Sequence, residues 1–333
     1  MISAANALRG TLFALLLLAA GCTNYRALEF RPAGEPGWPA DNPRVRLQSV
    51  IELHGRLERN AARLLSRLGG DEATFAFRRP YAVAWDGEDL LVTDPDAGRV
   101  ARIDQRGRIH LSPERALAHP IGLAVCRSGI VVTDAVEGKV ALLDRELRRV
   151  RWLAEDLHRP TGVACSGERV FVVETGAHRV LVLTPDGEPQ SFGERGTASG
   201  DFNFPTSIAL DGEALLIGDT LNFRIQRLAA NGEALGGFGQ LGDSPGEMPR
   251  TKGITIDSAG QIWVTDAHLD RVTLYAADGK LLISLGTRGE GLAQFSFPAG
   301  VAAHPDGRVA VVDSFNRRLQ VFQLVDRGAE GGA

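Results

Sequence analysis

An acidic residue followed five positions later by a basic residue recurs six times along this chain of 333 residues. Successive acids lie 40, 40, 45, 47 and 47 residues apart, and each acid ends a short apolar run. A period of this length is typical of repeat architectures, in which each repeat packs on its neighbours. The six pairs, which define repeats 1 to 6 in chain order, are Asp94/Arg99, Asp134/Lys139, Glu174/Arg179, Asp219/Arg224, Asp266/Arg271 and Asp313/Arg318.

A second marker, a Pro-x-Gly-like turn, recurs in the same phase and opens each repeat. Within one repeat, Lys252 to Gly286, four short runs of Ile, Val, Leu and Thr are bounded by Gly and Asp. This pattern predicts a four-stranded antiparallel sheet, which needs neighbours to cover its faces and edges. The six opening turns are Pro80-Tyr81-Ala82, Pro120-Ile121-Gly122, Pro160-Thr161-Gly162, Pro205-Thr206-Ser207, Thr251-Lys252-Gly253 and Pro298-Ala299-Gly300.

Together the two markers resemble the NHL repeat: Pro-x-Gly-apolar-Ala, then Gly-x-apolar-apolar-Val-x-Asp, then four residues and Arg-Val. The resemblance covers residues 79–325, with departures such as Glu174 for Asp and Thr251 for Pro. Six copies of an all-β unit predict an all-β fold, a six-bladed β-propeller of four-stranded antiparallel blades over residues 79–326. Such a fold provides a rigid disc with a central channel and implies no particular reaction.

The first 22 residues predict export. Arg9 precedes the apolar run Leu12–Ala20, which is too short to span a bilayer as a helix. The run ends in Leu-Ala-Ala-Gly-Cys22 and resembles a bacterial lipoprotein signal, which implies a signal peptide at residues 1–21 and a lipid on Cys22. The alternative is an ordinary secretory signal with a chance cysteine. Because Thr23 is not the Asp that favours inner-membrane retention, the expected location is the cell envelope, on the outer membrane facing the periplasm or the cell surface.

The segments on either side of the repeats have separate predictions. Four prolines within residues 22–43 predict an extended tether of polyproline character behind the lipid anchor. Residues 44–78 are predicted to hold a closing strand at Val45–Leu53 and a short amphipathic helix at Leu57–Leu68. The closing strand is expected to pair with the third strand of repeat 6, with Leu64–Leu68 as the alternative. Residues 327–333 are predicted to be a flexible tail.

Composition gives little support for several functional classes. A formal net charge of −4 with interspersed signs gives no nucleic-acid signal. The acid–base pairs recur in every repeat, which favours a structural role over catalysis, and as exposed pairs each would contribute about 0.2–1 kcal/mol. His178 and His268 lie in loops two repeats apart without a third axial histidine, so no metal, cofactor or enzyme activity is predicted. Cys126 and Cys165 are one position out of phase, which favours two buried thiols over the alternative, a disulfide.

The hypothesis is therefore a lipid-anchored, non-catalytic binding or scaffolding propeller. Its expected partner is an envelope protein complex, of the electron-transfer or assembly kind, and it also contacts the membrane through the anchor. The alternatives are a metal-dependent lyase or lactonase acting in the axial funnel and a receptor for a small glycan or peptide. The middle residues of the opening turns should ring the axis, where Ile121 and Ala299 are expected only to pack. The expected ligand-binding residues are Tyr81, Thr161, Thr206, Lys252, Phe223 and Phe315.

Overall fold

A computed structural model describes residues 25–57 and 74–325, apart from residues 114, 149 and 186. The predicted signal peptide with Cys22, residues 58–68 of the helix predicted at Leu57–Leu68 and the predicted tail lie outside this part of the chain, while Leu57 itself ends a strand. Within it, no helix is long and apolar enough to cross a membrane. Among the described residues the helices are three single 3₁₀ turns, η1 (Pro95–Ala97), η2 (Thr175–Ala177) and η3 (Thr220–Asn222).

The described residues form 27 strands, most of them four to seven residues long. Before the repeats lie β1 (Tyr25–Phe30), β2 (Gly37–Trp38), β3 (Val45–Leu57) and β4 (Thr74–Ala76). Repeat 1 contains β5 (Val83–Asp86), β6 (Asp89–Asp94), β7 (Arg99–Ile103) and β8 (Arg108–Leu111). Repeat 2 contains β9 (Pro120–Cys126), β10 (Gly129–Asp134), β11 (Lys139–Leu143) and β12 (Val150–Ala154). Repeat 3 contains β13 (Pro160–Ser166), β14 (Arg169–Glu174), β15 (Arg179–Leu183) and β16 (Gln190–Phe192). Repeat 4 contains β17 (Pro205–Asp211), β18 (Ala214–Asp219), β19 (Arg224–Leu228) and β20 (Ala234–Phe238). Repeat 5 contains β21 (Thr251–Ile256), β22 (Ile262–Asp266), β23 (Arg271–Tyr275) and β24 (Leu281–Leu285). Repeat 6 contains β25 (Pro298–Ala303), β26 (Arg308–Asp313) and β27 (Arg318–Leu324).

The strands pair as an all-β propeller. Repeats 2 to 5 each form a separate four-stranded antiparallel sheet, as predicted. Repeats 1 and 6 differ, because their strands belong to one 11-stranded sheet with the order β25-β26-β27-β3-β1-β8-β7-β6-β5, to which β2 and β4 add at β3. The prediction of six separate four-stranded blades is therefore wrong for these two repeats.

The strand that joins repeats 1 and 6 is β1, which lies within the predicted tether. It pairs antiparallel with β3 along its whole length and with β8 through Tyr25 and Arg26. Ala27 is only 7% exposed and contributes to the core between the two repeats. Residues 25–30 and 37–38 are thus strands rather than tether, because the edges of β3 and β8 offer unpaired backbone groups that a strand can satisfy.

The closing strand predicted at Val45–Leu53 is part of β3. It pairs antiparallel with β27, from Arg318 opposite Glu52 to Leu324 opposite Val45. Val45, Leu47, Val50 and Leu53 are 0–3% exposed, so β3 is also a core element. The chain before the repeats therefore supplies the strand that repeat 6 lacks.

The apolar core of the described residues is divided into six clusters, one between each pair of successive repeats. The cluster between repeats 1 and 6 contains Leu53, Val83, Leu90, Val312 and Leu319 among others. Five further clusters separate repeats 1 and 2, 2 and 3, 3 and 4, 4 and 5, and 5 and 6. The repeats are thus held as a closed ring by side-chain packing as well as by β3.

Cys126 and Cys165 form a disulfide, with their Cα atoms 5.6 Å apart, so the preference for two free thiols is wrong. The difference in phase brings the two sulfur atoms together instead of separating them. Cys126 and Cys165 lie on opposite faces of two equivalent, neighbouring sheets. Their side chains therefore point toward each other across the gap between the sheets. Both cysteines accordingly belong to the core cluster between repeats 2 and 3.

Candidate functional site

One face of the ring carries the loops that follow the second strands and the loops that connect successive repeats. Both kinds of loop lie at the same end because the start of each first strand pairs with the end of the second, as Pro120 does with Asp134 and Pro205 with Asp219. We call this surface the loop face. The opposite surface carries the turns between first and second strands, and we call it the hairpin face.

The recurring acids lie beneath the loop face and are almost completely buried. Asp134, Glu174 and Asp313 have no exposed surface, and the least buried, Asp266, is 4% exposed. Each accepts a backbone N–H from the segment just before its own repeat, at 2.6–3.2 Å. The donors are Arg78 and Arg79, Ala118 and His119, His158, Asn203, Arg250 and Ser296. The acids are structural, but the expectation that the pairs are exposed is wrong.

The basic members of the pairs do not behave alike. Arg318, whose side chain is 8% exposed, donates to Asp313 at 2.7 Å and to three backbone carbonyls of the preceding loop. Arg179 and Arg224 contact their own acids at 2.6 and 2.8 Å. Lys139 instead pairs with Glu155 at 3.0 Å. The acid–base offset therefore marks the repeat reliably while the ion pair forms only in some repeats.

Burial has an electrostatic consequence for two of these acids. It raises the pKa of Asp94, although backbone N–H groups of Arg78 and Arg79 act in the opposite direction. It likewise raises the pKa of Asp313, against the N–H of Ser296 and the side chains of Asn316 and Arg318. A raised carboxyl pKa can accompany acid catalysis. Here both groups are at most 1% exposed and have no access to a substrate.

Around the axis, hydroxyl groups connect each repeat to the next. Thr93 donates to the Ile121 carbonyl at 3.2 Å, and Thr133, Thr175, Thr220 and Thr265 make equivalent bonds to the first strands of repeats 3 to 6. Between repeats 6 and 1, the backbone N–H of Gly300 donates to the Tyr81 carbonyl at 2.7 Å. A Cβ at position 122 would overlap the Thr161 carbonyl, so the glycine of the opening turn allows this close approach.

Five of the six middle residues of the opening turns line a small axial cavity of about 80 Å³: Tyr81, Ile121, Thr161, Thr206 and Lys252. Ala299, the sixth, is fully buried. The Thr161 hydroxyl lies 2.7 Å from that of Thr175, and the Thr206 hydroxyl lies 2.7 Å from that of Thr220. The two predicted threonines therefore reach the axis. Their hydroxyls already take part in bonds between repeats, because Thr161 also donates to the Thr206 carbonyl at 2.9 Å and Thr206 to the Thr251 carbonyl at 3.4 Å.

Lys252 lies beside two aromatic rings on the loop face. Its Nζ atom is 5.8 Å from the centroid of the Phe297 ring, a cation–π contact. Phe297 in turn stacks on Phe315, with centroids 4.8 Å apart and planes 16° apart. Phe315 is 56% exposed. The structure thus brings the predicted residues Lys252 and Phe315 together through Phe297, which was not among the predicted site residues.

Phe223 does not line the axial cavity. It follows η3 with φ = 57°, in the left-handed region, and is half-buried. The equivalent position is His178 in repeat 3 and Asp270 in repeat 5. There the side chain accepts the backbone N–H of a residue before the next repeat, from Phe204 to His178 at 3.2 Å and from Phe297 to Asp270 at 2.7 Å. This position therefore helps to fasten successive repeats.

The second residue after each recurring acid is exposed in all six repeats. In repeats 2, 4 and 6 it is a large apolar residue, Val136, Leu221 or Phe315, exposed by 70%, 42% and 56%. In the alternate repeats it is Asp96, Gly176 or His268. Of this ring only Phe315 was among the predicted binding residues; aligning the six repeats on their acids places the other five positions in register with it.

Comparisons with known proteins agree with this geometry. The NHL repeat family model matches residues 295–322, and no curated protein sequence matches the chain. A streptogramin B lyase structure is similar over 75% of this chain and 95% of its own, with 17% identity and a TM-score of 0.58. A gluconolactonase from Xanthomonas campestris is similar over 90% and 100%, with 16% identity and a TM-score of 0.61. An auxiliary nutrient binding protein from Bacteroides thetaiotaomicron is similar over 75% and 70%, with 13% identity and a TM-score of 0.62.

The chain is a β-propeller that carries an NHL repeat. At 13–17% identity, the solved structures share the fold with this propeller, and their substrates and ligands are not transferred by that likeness.

Metal-binding geometry in the described part of the propeller is confined to one cluster, Glu88, His304 and Asp306, on the hairpin face. Arg308 lies between its two acids, 2.6 Å from Glu88 and 2.7 Å from Asp306. The guanidinium already neutralises these acids and repels a cation, so the cluster is best described as an ion-pair network between repeats 1 and 6. His178 is 8% exposed and accepts the backbone N–H of Phe204 at 3.2 Å, and neither it nor His268 belongs to a potential metal cluster of three or more ligands among the described residues.

Proposed function

We propose that this chain is a lipid-anchored, non-catalytic, six-bladed propeller that binds a protein partner on its loop face in the bacterial cell envelope. The observation that carries the proposal is the alternating ring of exposed Val136, Leu221 and Phe315 around an axial mouth. Six core clusters, one between each pair of repeats, support counting six blades of which the first and sixth share a sheet.

Exposed apolar side chains are unevenly distributed over the described surface. Five of the nine large ones lie in loops of the loop face, and the other four lie on outer strands. The hairpin face instead has ion pairs between neighbouring repeats, such as Arg127–Glu168 and Arg169–Glu213. Apolar and aromatic anchors beside polar groups are typical of protein interfaces. The five residues of the loop face are Val136, Leu221, Leu241, Leu292 and Phe315.

The proposed location has separate support. The Cys126–Cys165 disulfide links repeats 2 and 3, and disulfides persist in oxidising compartments such as the periplasm. The sequence ending in Cys22 resembles a lipoprotein signal. An extracytoplasmic protein complex, in assembly or electron transfer, is therefore the proposed partner class.

The enzyme alternative has weaker support in the axial cavity. Its lining offers hydroxyls, a phenol and the Lys252 ammonium, and neither a carboxylate nor an imidazole is among the described lining residues. Zinc and calcium sites need such ligands. Elemental analysis of the purified full chain distinguishes the two functions: stoichiometric zinc or calcium would overturn the non-catalytic proposal.

Site-specific photo-crosslinking in intact cells tests the binding face. A photoreactive residue at position 315 or 221 should give an adduct of one defined mass, since these side chains would lie inside the interface. Position 213 on the hairpin face, where the Glu213 side chain is 81% exposed, is the matched control and should give none. Phe315→Ala should weaken the adduct at 221, whereas Leu235→Ala, on the outer wall, should not. Equal adducts at all three positions, or none, would overturn the proposed face.

A further inference from the structure

The outer wall of the ring has two exposed apolar side chains close to the start of the described chain. Leu28 and Phe30 on β1 are 47% and 56% exposed. Residues two apart in a strand share one face, and here that face is the solvent side of the sheet. Ala27, whose neighbour on either side is exposed, packs inward instead.

The length of chain before β1 limits how far this wall can be from a lipid anchor. The argument rests on the proposed acylation of Cys22. Strand β1 begins at Tyr25, so three Cα–Cα steps of about 3.8 Å allow a separation of about 11 Å at most. The headgroup region on one side of a bilayer is itself about 5–7 Å thick. An acylated Cys22 therefore holds β1 at the lipid surface, and the long tether predicted from the prolines does not intervene.

We propose that the outer wall at β1 lies on the membrane to which Cys22 is anchored, with Leu28 and Phe30 inserted among the headgroups. The occupant is the bilayer, because the anchor holds this wall beside lipid whatever else the protein binds. Arg26 is exposed on the same face of β1 as the apolar pair and can reach lipid phosphates, whereas Arg31 pairs with Glu29 at 3.4 Å. Contact through the outer wall leaves the loop face open to a partner.

The remaining exposed apolar residues of the outer wall provide a matched control. Leu235 on β20 and Leu281 on β24 are 54% and 42% exposed, which is close to the values of the β1 pair. They lie in repeats 4 and 5, whereas β1 lies between repeats 6 and 1. A wall fixed by the anchor should bury the β1 pair in lipid and leave the Leu235 and Leu281 side chains in water.

The test uses full-length protein, processed in cells and reconstituted in vesicles of phosphatidylethanolamine and phosphatidylglycerol that contain a doxyl-labelled lipid. A thiol-reactive fluorophore is attached to Phe30→Cys or, as the control, to Leu235→Cys; Cys126 and Cys165 are already bonded to each other. We expect quenching by the doxyl lipid to be several-fold stronger at position 30 than at position 235. Mass spectrometry of the same samples reports whether Cys22 carries acyl chains.

A second measurement examines the apolar pair itself. A fluorophore at Arg31→Cys should lose most of its quenching in the Leu28→Glu/Phe30→Glu background and keep it in the Leu235→Glu/Leu281→Glu background. These side chains are exposed, so both backgrounds should melt like the parent. Acylated protein with equal quenching at positions 30 and 235 would overturn the membrane-facing wall alone. Protein without acyl chains would overturn the anchor, and the docking with it, while the crosslinks at 315 and 221 would still report on the loop face.

Discussion

At the scale of single residues, the recurring acids combine two opposing effects. Burial penalises the charged carboxylate, and backbone N–H groups compensate by donating to it. Asp313 and Arg318 show the pair at its most buried, with 0% and 7% exposure of the whole residues. An arginine in such a place is a structural group because four of its five N–H groups donate within the protein, one to Asp313 and three to carbonyls of the preceding loop.

Arg318→Ala should destabilise the protein by about 3–5 kcal/mol, since it leaves the buried Asp313 carboxylate without its cation. It also removes the bonds from Arg318 to the carbonyls of Glu290, Gly291 and Gln294. The measurement is the free energy of unfolding in urea. Lys139→Ala is the matched control from repeat 2 and should change little, because Lys139 pairs with the surface residue Glu155. Equal losses for the two variants would contradict the assigned difference in burial.

At the scale of strands and loops, sequence patterns within one repeat predicted the structure within that repeat. The opening turns and acids gave the strands of repeats 2 to 5 and placed Tyr81 and Lys252 at the axis, because each repeat shares one phase. Strand β1 was beyond such reasoning: it forms only where the edges of β3 and β8 come together, which is a long-range event. The Phe297 contact with Lys252 likewise joins residues 45 positions apart in the sequence.

The disulfide is the covalent link between two neighbouring sheets. It closes a loop of 39 residues between Cys126 and Cys165. Replacing both cysteines with serine should lower the free energy of unfolding by about 2–4 kcal/mol through the regained entropy of the unfolded chain. Wild-type protein unfolded in a thiol reductant should match the double variant. A variant as stable as the oxidised protein, or a free-thiol titre of two in the native wild type, would refute the link.

At the scale of the whole molecule, β3 determines whether the ring is a single cooperative unit. Its side chains belong to two core clusters, with Val45, Leu47 and Val50 between repeats 5 and 6 and Leu53 between repeats 6 and 1. It also pairs with both β27 and β1, so it joins the two ends of the repeat array. Repeat arrays without such closure unfold more independently along their length.

Deleting residues 43–53 should therefore destabilise every repeat together, because it exposes the edge of β27 and opens two core clusters.

A single substitution in β3 gives a quantitative test of the same role. Leu47→Ala, at a fully buried position, should cost about 2–5 kcal/mol while unfolding remains a single transition. Gln48→Ala, half-buried on the neighbouring position, should stay within about 0.5 kcal/mol. The measurement is calorimetric unfolding of the full chain, and a deletion variant that melts like the parent, or a Leu47→Ala variant that melts in two separate steps, would show that β3 does not unite the ring.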